Sequence, residues 1–189
     1  MNETTDLRIV KTKNKLRAAF AKMMRDDSFD RLSINDLCSL AKVRRATFYR
    51  HFDDKYDFLS SIVSVILAEV GAKVGSPDDR SDPIDYYCNY IAEVIRYCKN
   101  NDAMIKNILD SSAFWTVLSA VLKGTLNSFR RDLTANERAG IKLPADVETL
   151  AQFLNGGIAN VIVMWLTNQS ISEEKLIESA RSIFKRILS

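Results

Sequence analysis

Apolar side chains recur at helical spacing along most of the chain, and short polar breaks separate one helical stretch from the next. In the first stretch, Leu16, Phe20 and Met23 share one face of a helix predicted over residues 5–25. The same spacing predicts helices over residues 33–40, 44–52, 55–73, 83–99, 103–110, 113–132, 145–168 and 172–188, and a loop over 133–144. No segment alternates as a strand would. The pattern therefore predicts an all-α protein of about nine helices.

Helix-breaking residues divide this pattern into two modules. All six Gly and all three Pro lie beyond residue 70, and the first polar stretch rich in them spans residues 75–83. We expect a small N-terminal module over residues 1–54 and a larger helical module over residues 55–189.

The positive charge is concentrated in the first third of the chain. Residues 1–58 hold 13 Lys and Arg against 9 Asp and Glu, whereas the remaining residues hold 14 against 15. The net charge of +3 is therefore an excess of the N-terminal module, which suggests a polyanionic partner for that module.

Residues 33–52 have the spacing of a helix-turn-helix. Ser33 is a suitable N-cap for a first short helix, with Asp36 as the acidic partner of the cap, and residues 41–43 form a tight turn. In such a motif the second helix enters the DNA major groove. Phe48 and Phe52 point inward at a spacing of four. The motif therefore favours DNA binding over a solvated basic face on an ordinary helical bundle.

The outer face of the second helix offers the groups that DNA recognition uses. Arg can bond guanine through two donors, Thr can contact a thymine methyl group, and Tyr can reach phosphate oxygens. These side chains are Arg44, Arg45, Thr47, Tyr49, Arg50 and His51.

The chain resembles the TetR/AcrR family of bacterial transcriptional regulators. The resemblance is carried by the runs LRAAF at residues 16–20, FDRLSINDL at 29–37 and AKVRRATFYRHFDDK at 41–55. It implies a three-helix N-terminal DNA-binding domain and a larger helical C-terminal domain that binds small molecules and dimerises. The expected partners are a palindromic operator in double-stranded DNA and a second copy of the chain.

The resemblance also assigns the DNA contacts residue by residue. Thr47, Tyr49 and His51 match positions that meet the phosphate backbone, and Lys55 matches the phosphate-clamping Lys at the start of the fourth helix. With the first short helix and the turn included, the expected contacts are Ser33, Asn35, Lys42, Arg44, Arg45, Thr47, Tyr49, Arg50, His51 and Lys55.

Lys42 departs from the family pattern. The family usually has Gly at this turn position, because the backbone there is left-handed. A side chain with a Cβ atom costs about 1 kcal/mol in that conformation. We therefore expect a strained but tolerated turn.

The C-terminal module resembles a subgroup of short regulators in which the last two long helices pair with those of a second copy. Two adjacent glycines inside a helix cost about 1 kcal/mol each relative to Ala, which suggests close approach of another backbone. The alternative is that these helices pack only within one chain. The expected interface is Gly156, Gly157, Ile158, Ile162, Leu166, Leu176, Ile183 and Ile187.

Aromatic residues are frequent in the C-terminal module. Helical bundles can enclose an apolar cavity, so a small apolar or aromatic effector is expected there, although such side chains are more often plain core. The pocket candidates are Tyr90, Tyr97, Met104, Phe114, Trp115 and Trp165.

Other classes of protein are disfavoured. His51 is the single histidine, and the three cysteines have no metal-ligand spacing, which argues against a zinc site, a cofactor and His-dependent catalysis. Cys88 and Cys98 could form a redox disulfide, but two buried reduced thiols are favoured in a reducing compartment. The longest apolar runs are too short to span a membrane, and the N-terminus does not resemble a secretory signal. We expect a cytoplasmic protein.

These observations favour a homodimeric repressor that a small molecule releases from its operator. The alternative is a regulator of the same fold that a partner protein controls or that acts without a ligand.

Overall fold

The computed structural model describes residues 3–75, 82–168 and 171–188, and within these ranges every regular element is helical. The elements are α1 (Glu3–Asp26), a 3-10 helix η1 (Phe29–Arg31), α2 (Ile34–Ala41), α3 (Arg45–Tyr49), α4 (Lys55–Val74), α5 (Pro83–Asn100), α6 (Asp102–Leu109), α7 (Phe114–Arg138), α8 (Val147–Asn168) and α9 (Glu173–Leu188). The all-α prediction and the order of the helices are confirmed.

The chain packs as two compact units, and each unit draws on two stretches of sequence. The first unit comprises Met1–Val63 and Asn101–Val117, and the second comprises Ser64–Asn100 and Leu118–Ser189. Helix α6 therefore belongs to the N-terminal unit by packing, although the sequence grouped it with the C-terminal module. Its Asn107 side chain donates to the carbonyl oxygen of Met24 at 2.9 Å. The functional boundary after residue 54 stays a prediction.

Aromatic rings form the core of the first unit. Phe20, Phe48 and Phe58 are buried, and the Phe58 ring centroid lies 5.7 Å from that of Phe20 and 5.6 Å from that of Phe48. Phe52 is 4% exposed and also packs on Phe58, at 5.0 Å. The prediction that Phe48 and Phe52 point inward is confirmed. The polar side chains between them are therefore not needed for this core.

The second unit is built on α5, α8 and α9, and its core extends along α7. Leu133 of α7 is fully buried in this core, and for that reason α7 continues to Arg138 where the sequence predicted a loop from residue 133. Gly140 then ends the helix at a φ of 85°. Its N–H donates to the carbonyl oxygen of Glu137 at 3.0 Å, as in other left-handed helix ends.

Helix α8 meets the length and composition of a membrane span, with a mean hydropathy of 1.3 over its most apolar window. It is the one helix among the described residues that does so. Its Asn155 is 4% exposed, and the Asn155 amide donates to the carbonyl oxygen of Leu122 at 2.9 Å. Seven α8 residues, Asn155 among them, are buried against the rest of the second unit, so packing within this unit accounts for about a third of the apolar window.

Cys38, Cys88 and Cys98 are free thiols and all three are buried. Cys88 and Cys98 both lie on α5, where ten residues correspond to about 15 Å of helix. Because a disulfide needs Cα atoms within about 7 Å, these two cysteines cannot pair. The interpretation as buried reduced thiols is confirmed.

Candidate nucleic-acid interface

Residues 33–49 form the helix-turn-helix that the sequence predicted. The Ser33 hydroxyl accepts hydrogen bonds from the N–H groups of Asn35 and Asp36, so it caps α2 as expected. The helix ends at Lys42, which has φ 53° and ψ 45°. Lys42 is the one non-glycine residue with positive φ in the described parts of the chain, so the strained turn is confirmed.

Helix α3 spans Arg45–Tyr49 and is shorter than predicted, because Arg44 is its extended N-cap and Arg50 its C-cap. Of the expected contact residues, Asn35, Lys42, Arg44, Arg45, Tyr49 and Arg50 are exposed, whereas Ser33, Thr47, His51 and Lys55 are half-buried. Six of the ten expected contact residues are thus exposed along α2, the turn and α3 with its caps.

Arg45 and Tyr49 are paired on the outer side of α3. The guanidinium carbon of Arg45 lies 5.3 Å from the Tyr49 ring centroid, and its Nη2 atom donates to the Tyr49 hydroxyl at 3.4 Å. Both side chains are exposed. A guanidinium held by a ring loses less conformational freedom when it binds a base or a phosphate. The pair therefore presents an ordered cation to a ligand.

His51 follows α3 in a positive environment. Partial burial, then the ammonium of Lys13, then the guanidinium of Arg50 hold the pKa of the His51 imidazole below its ordinary value. Lys13 was not among the expected site residues. The sequence could have placed Lys13 by its position in the helix. It precedes the buried residues Leu16 and Phe20 by three and seven positions and so shares their face of α1.

Lys55 has an internal role where the resemblance implied a phosphate contact. Its ammonium nitrogen lies 3.1 Å from the carbonyl oxygens of Phe29 and Asp30 and 3.4 Å from that of Leu32. An ammonium has three donors, so all three are engaged. The ammonium also lies 4.8 Å from the Phe29 ring centroid. Lys55 thus ties the start of α4 to the 3-10 helix.

The N-terminus of α4 is likewise occupied by the chain itself. The Asp54 carboxylate accepts hydrogen bonds from the N–H groups of Tyr56 and Asp57 at 2.7 and 2.8 Å. The Asp57 carboxylate accepts one from the N–H of Asp53 at 3.1 Å. The Asp54 carboxylate therefore caps α4, and its negative charge repels any further anion at this helix end.

A cavity of about 360 Å³ lies within the second unit. Its lining contains no charged side chain and comprises Ser64, Leu67, Ala68, Gly71, Tyr86, Tyr87, Tyr90, Gly124, Thr125, Ser128 and Phe129. The ring of Tyr87 stacks on that of Phe129 at 5.1 Å and 13°. Burial and the Asp132 carboxylate raise the pKa of Tyr87 far above its ordinary value, and burial raises the pKa of Tyr90 to about 12. Both phenols are therefore neutral hydroxyl groups at physiological pH.

Of the six expected pocket residues, only Tyr90 lines this cavity. Met104, Phe114 and Trp115 fall in the first unit, where Trp115 is 73% exposed. Trp165 is core, and its indole N–H donates to the carbonyl oxygen of Ile171 at 3.1 Å. Tyr97 lies on α5, outside the lining. The sequence could not show whether these five residues line a cavity, because aromatic content does not reveal which face of each helix packs inward.

The expected interface residues divide between core and surface. Ile162 and Leu176 are buried, Gly156, Ile158, Leu166 and Ile187 are half-buried, and Gly157 and Ile183 are exposed. The outward side of α8 also exposes Phe153 by 68%, Val161 by 38% and Met164 by 39%. Phe153, Gly157, Val161, Met164 and Ile183 are named the α8–α9 surface below. Phe153, Val161 and Met164 were not among the expected interface residues, although their spacing along α8 is helical.

No three His, Cys, Asp or Glu residues described by the structure lie together as metal ligands would. Every buried side-chain nitrogen or oxygen atom described by the structure has a hydrogen-bond partner. The surface chemistry that stands out is that of the cationic helix-turn-helix.

Comparison with known proteins points to the same segment. Residues 16–62 match the family model described as bacterial regulatory proteins, tetR family. Over 99 residues the chain is 28% identical to the HTH-type dhaKLM operon transcriptional activator DhaS of Lactococcus lactis subsp. lactis (strain IL1403), a match that covers 51% of this chain and 48% of that protein. The chain thus matches about half the length of this curated relative.

Solved structures extend the likeness to the whole fold. A putative TetR-family transcriptional regulator from Rhodococcus sp. has a TM-score of 0.72 at 15% identity, with 95% of this chain and 100% of that chain covered. RolR in complex with the ligand resorcinol has a TM-score of 0.66 at 18% identity, with 97% of both chains covered. These TM-scores show a shared fold, and at identities of 15–18% the likeness shows the fold alone.

Proposed function

We propose that this chain, whose residues 16–62 match the family model described as bacterial regulatory proteins, tetR family, is a homodimeric repressor that a small molecule releases from a palindromic operator. The protein is cytoplasmic in this proposal, and it is not an enzyme. The DNA-binding domain comprises residues 1–54, and the regulatory and dimerisation domain comprises residues 55–189.

The observation that carries the proposal is the ordered cation on α3. Arg45 rests on the Tyr49 ring with both side chains exposed, next to the exposed Arg44 and Arg50. In a helix-turn-helix, this face reads bases and contacts phosphates. The remaining proposed contacts are Ser33, Asn35, Lys42, Thr47 and His51. Lys55 is left out, because its three donors are engaged within the chain.

The direct test is binding to the DNA upstream of the protein's own gene and its neighbours. We expect footprinting to reveal a protected palindrome. Arg45→Ala should relax preference at one base position or weaken binding to all sequences, which separates base reading from phosphate contact. Lys22→Ala is a matched control, since Lys22 is an exposed cation on α1 outside the motif. Equal binding of wild type and Arg45→Ala to every sequence would contradict the proposal.

The proposed effector is a small neutral molecule with an aromatic or apolar body. The cavity of the second unit is lined by aromatic rings and hydroxyl groups without a charged side chain, so a charged ligand would lose its hydration without gaining a partner. RolR, which shares the fold, was crystallised with resorcinol. Phenol and resorcinol are therefore suitable first probes.

Calorimetry with these probes and operator release in their presence test the effector. Tyr90→Leu should lower probe affinity and release while operator affinity is unchanged. Trp115→Ala is the control, because Trp115 lies in the first unit and is exposed. If no probe binds and no small molecule shifts operator affinity, the ligand-free alternative replaces this part of the proposal.

We place dimerisation on the α8–α9 surface. Phe153, Val161 and Met164 are exposed at helical spacing along one side of α8, and an apolar patch of this kind commonly marks a protein interface. Gly156 and Gly157 have open space at the position of a Cβ atom, so packing within one chain does not require them to be glycine. The close approach of a helix from a second copy would require glycine at these positions.

Activation is the second candidate for the sign of regulation. The relative DhaS is a transcriptional activator, and the alternative for this chain is a regulator of the same fold that a partner protein controls or that acts without a ligand. Comparison of transcript levels in a deletion strain and the wild type decides the sign. Increased transcription after deletion supports repression, and decreased transcription supports activation.

A further inference from the structure

A cluster of three basic groups joins α1 to the end of α3. Lys13 of α1 lies over the Phe52 ring, with its ammonium 5.6 Å from the ring centroid. The His51 ring also lies near the Phe52 ring, at 6.2 Å between centroids. Arg50 is the residue before His51 and is exposed. Phe52 thus supports a lysine from one helix and an imidazole from the next.

Among the residues that the structure describes, none forms an acidic partner for this cluster. The six ion pairs found in the described residues involve none of Lys13, Arg50 and His51. Lys13 and Arg50 also act together on His51, since both hold the pKa of the imidazole down. Like charges placed side by side without a carboxylate repel one another, and an anion bound between them would remove this repulsion.

The position of Lys13 on α1 is specific within a basic stretch. It precedes the buried Leu16 by three residues and so lies on the inward face of the helix, whereas Lys11 and Lys15 are exposed and two residues away, about 200° around the axis. Arg17 is nearer in angle, but its guanidinium donates to the Asn14 side chain at 2.8 Å. Lys13 is therefore the α1 cation that faces the helix-turn-helix.

We propose that Lys13, Arg50 and His51 form a seat for one backbone phosphate of double-stranded DNA, so that the DNA interface includes α1. The inference rests on the proposed DNA-binding function and adds a contact from outside the helix-turn-helix. It places an anion site at the C-terminal end of α3, whereas the N-terminus of α4 is filled by the carboxylate of Asp54.

The salt dependence of operator binding tests the seat. Lys13→Gln keeps much of the aliphatic stem over Phe52 and removes the charge, while Lys15→Gln removes the same charge from the opposite side of α1. We expect Lys13→Gln to lower the slope of log K against log salt by about 0.9 for each bound protomer and to weaken binding equally on all sequences. Lys15→Gln should change neither quantity, and Lys13→Arg should restore the wild-type slope.

The single histidine supplies a second readout. Its imidazole resonance needs no assignment, because the chain contains one His. A phosphate in the seat raises the pKa of His51 in the DNA complex above that of the free protein. A slope for Lys13→Gln equal to that of the wild type, or an unchanged pKa of His51 in the complex, would overturn the seat while operator binding remained. Absence of specific binding by the wild type would instead overturn the proposed function.

Discussion

The ammonium nitrogen of Lys55 lies 3.1 Å from the carbonyl oxygen of Phe29, a residue 26 positions earlier in the chain. Phe29 begins the 3-10 helix, and Leu32, whose carbonyl oxygen is also an acceptor, directly precedes the Ser33 cap of α2. One side chain therefore connects the first residue of α4 to the segment that leads into the helix-turn-helix.

Replacing Lys55 tests this connection. Lys55→Met should keep the aliphatic stem and remove three hydrogen bonds from a charged donor, with a loss of about 2 kcal/mol in the free energy of unfolding of the first unit. Urea unfolding followed by circular dichroism measures this loss. The slope of operator binding against salt should stay at the wild-type value. Arg44→Ala is the opposite case, expected to change the slope and to leave stability unchanged. If Lys55→Met instead lowers the slope and leaves stability unchanged, Lys55 contacts a phosphate, as the resemblance implied.

The left-handed turn at Lys42 gives a second prediction. A residue with a Cβ atom is strained at a φ of 53°, so Lys42→Gly should stabilise the protein by about 1 kcal/mol. For a chain of this size, that corresponds to a rise of about 2–4 °C in Tm. Lys42→Ala keeps the Cβ atom and removes the same charge, so it should show no rise. Equal Tm values for the two variants would mean that the turn stores no measurable strain.

His51 gives a prediction about pH in the free protein. Since the ammonium of Lys13 helps to lower the pKa of His51, Lys13→Gln should raise this pKa towards the ordinary value of about 6.5, whereas Lys15→Gln should leave it unchanged. The unfolded chain binds a proton more readily than the folded one between the two pKa values. Stability is therefore lost as the pH falls through this window, and less is lost in Lys13→Gln. An NMR titration and Tm values at pH 8 and pH 5.5 measure both effects.

Local patterns predicted what depends on local geometry. The Ser33 cap and the inward Phe48 each follow from a few neighbouring residues, whereas the left-handed turn at Lys42 was implied by the family resemblance, and the structure confirms all three. Lys55 could not be placed in this way, because its acceptors lie more than 20 residues away and are main-chain oxygens that no sequence motif encodes.

The same limit explains the differences in the second module. Leu133 extends α7 because it is buried among distant residues. Residues 133–139 also contain no Gly or Pro that would end the helix earlier. Trp115 was expected in a pocket because it is aromatic, but it is 73% exposed. In both cases the outcome depends on how helices far apart in sequence align.

Gly157 provides the sharpest test of dimerisation, because one substitution should affect the single chain and the dimer in opposite directions. A Cβ atom at Gly157 meets nothing within 4 Å in the single chain, and Ala favours a helix over Gly by about 1 kcal/mol. Gly157→Ala should therefore raise the free energy of unfolding measured on dissociated chains, while it weakens association by separating two closely packed backbones.

Sedimentation equilibrium over a range of concentrations separates the two effects. Gly157→Glu should be monomeric and bind a half-site weakly, because it adds a charge to the centre of the α8–α9 surface. Ser119→Glu adds the same charge at an exposed position on α7 and should stay dimeric. If Gly157→Glu also stays fully dimeric, the second copy binds elsewhere, and the exposure of Phe153 and Ile183 has another cause. If Gly157→Ala dimerises as tightly as the wild type, the helices pair without the close backbone approach that the two glycines allow.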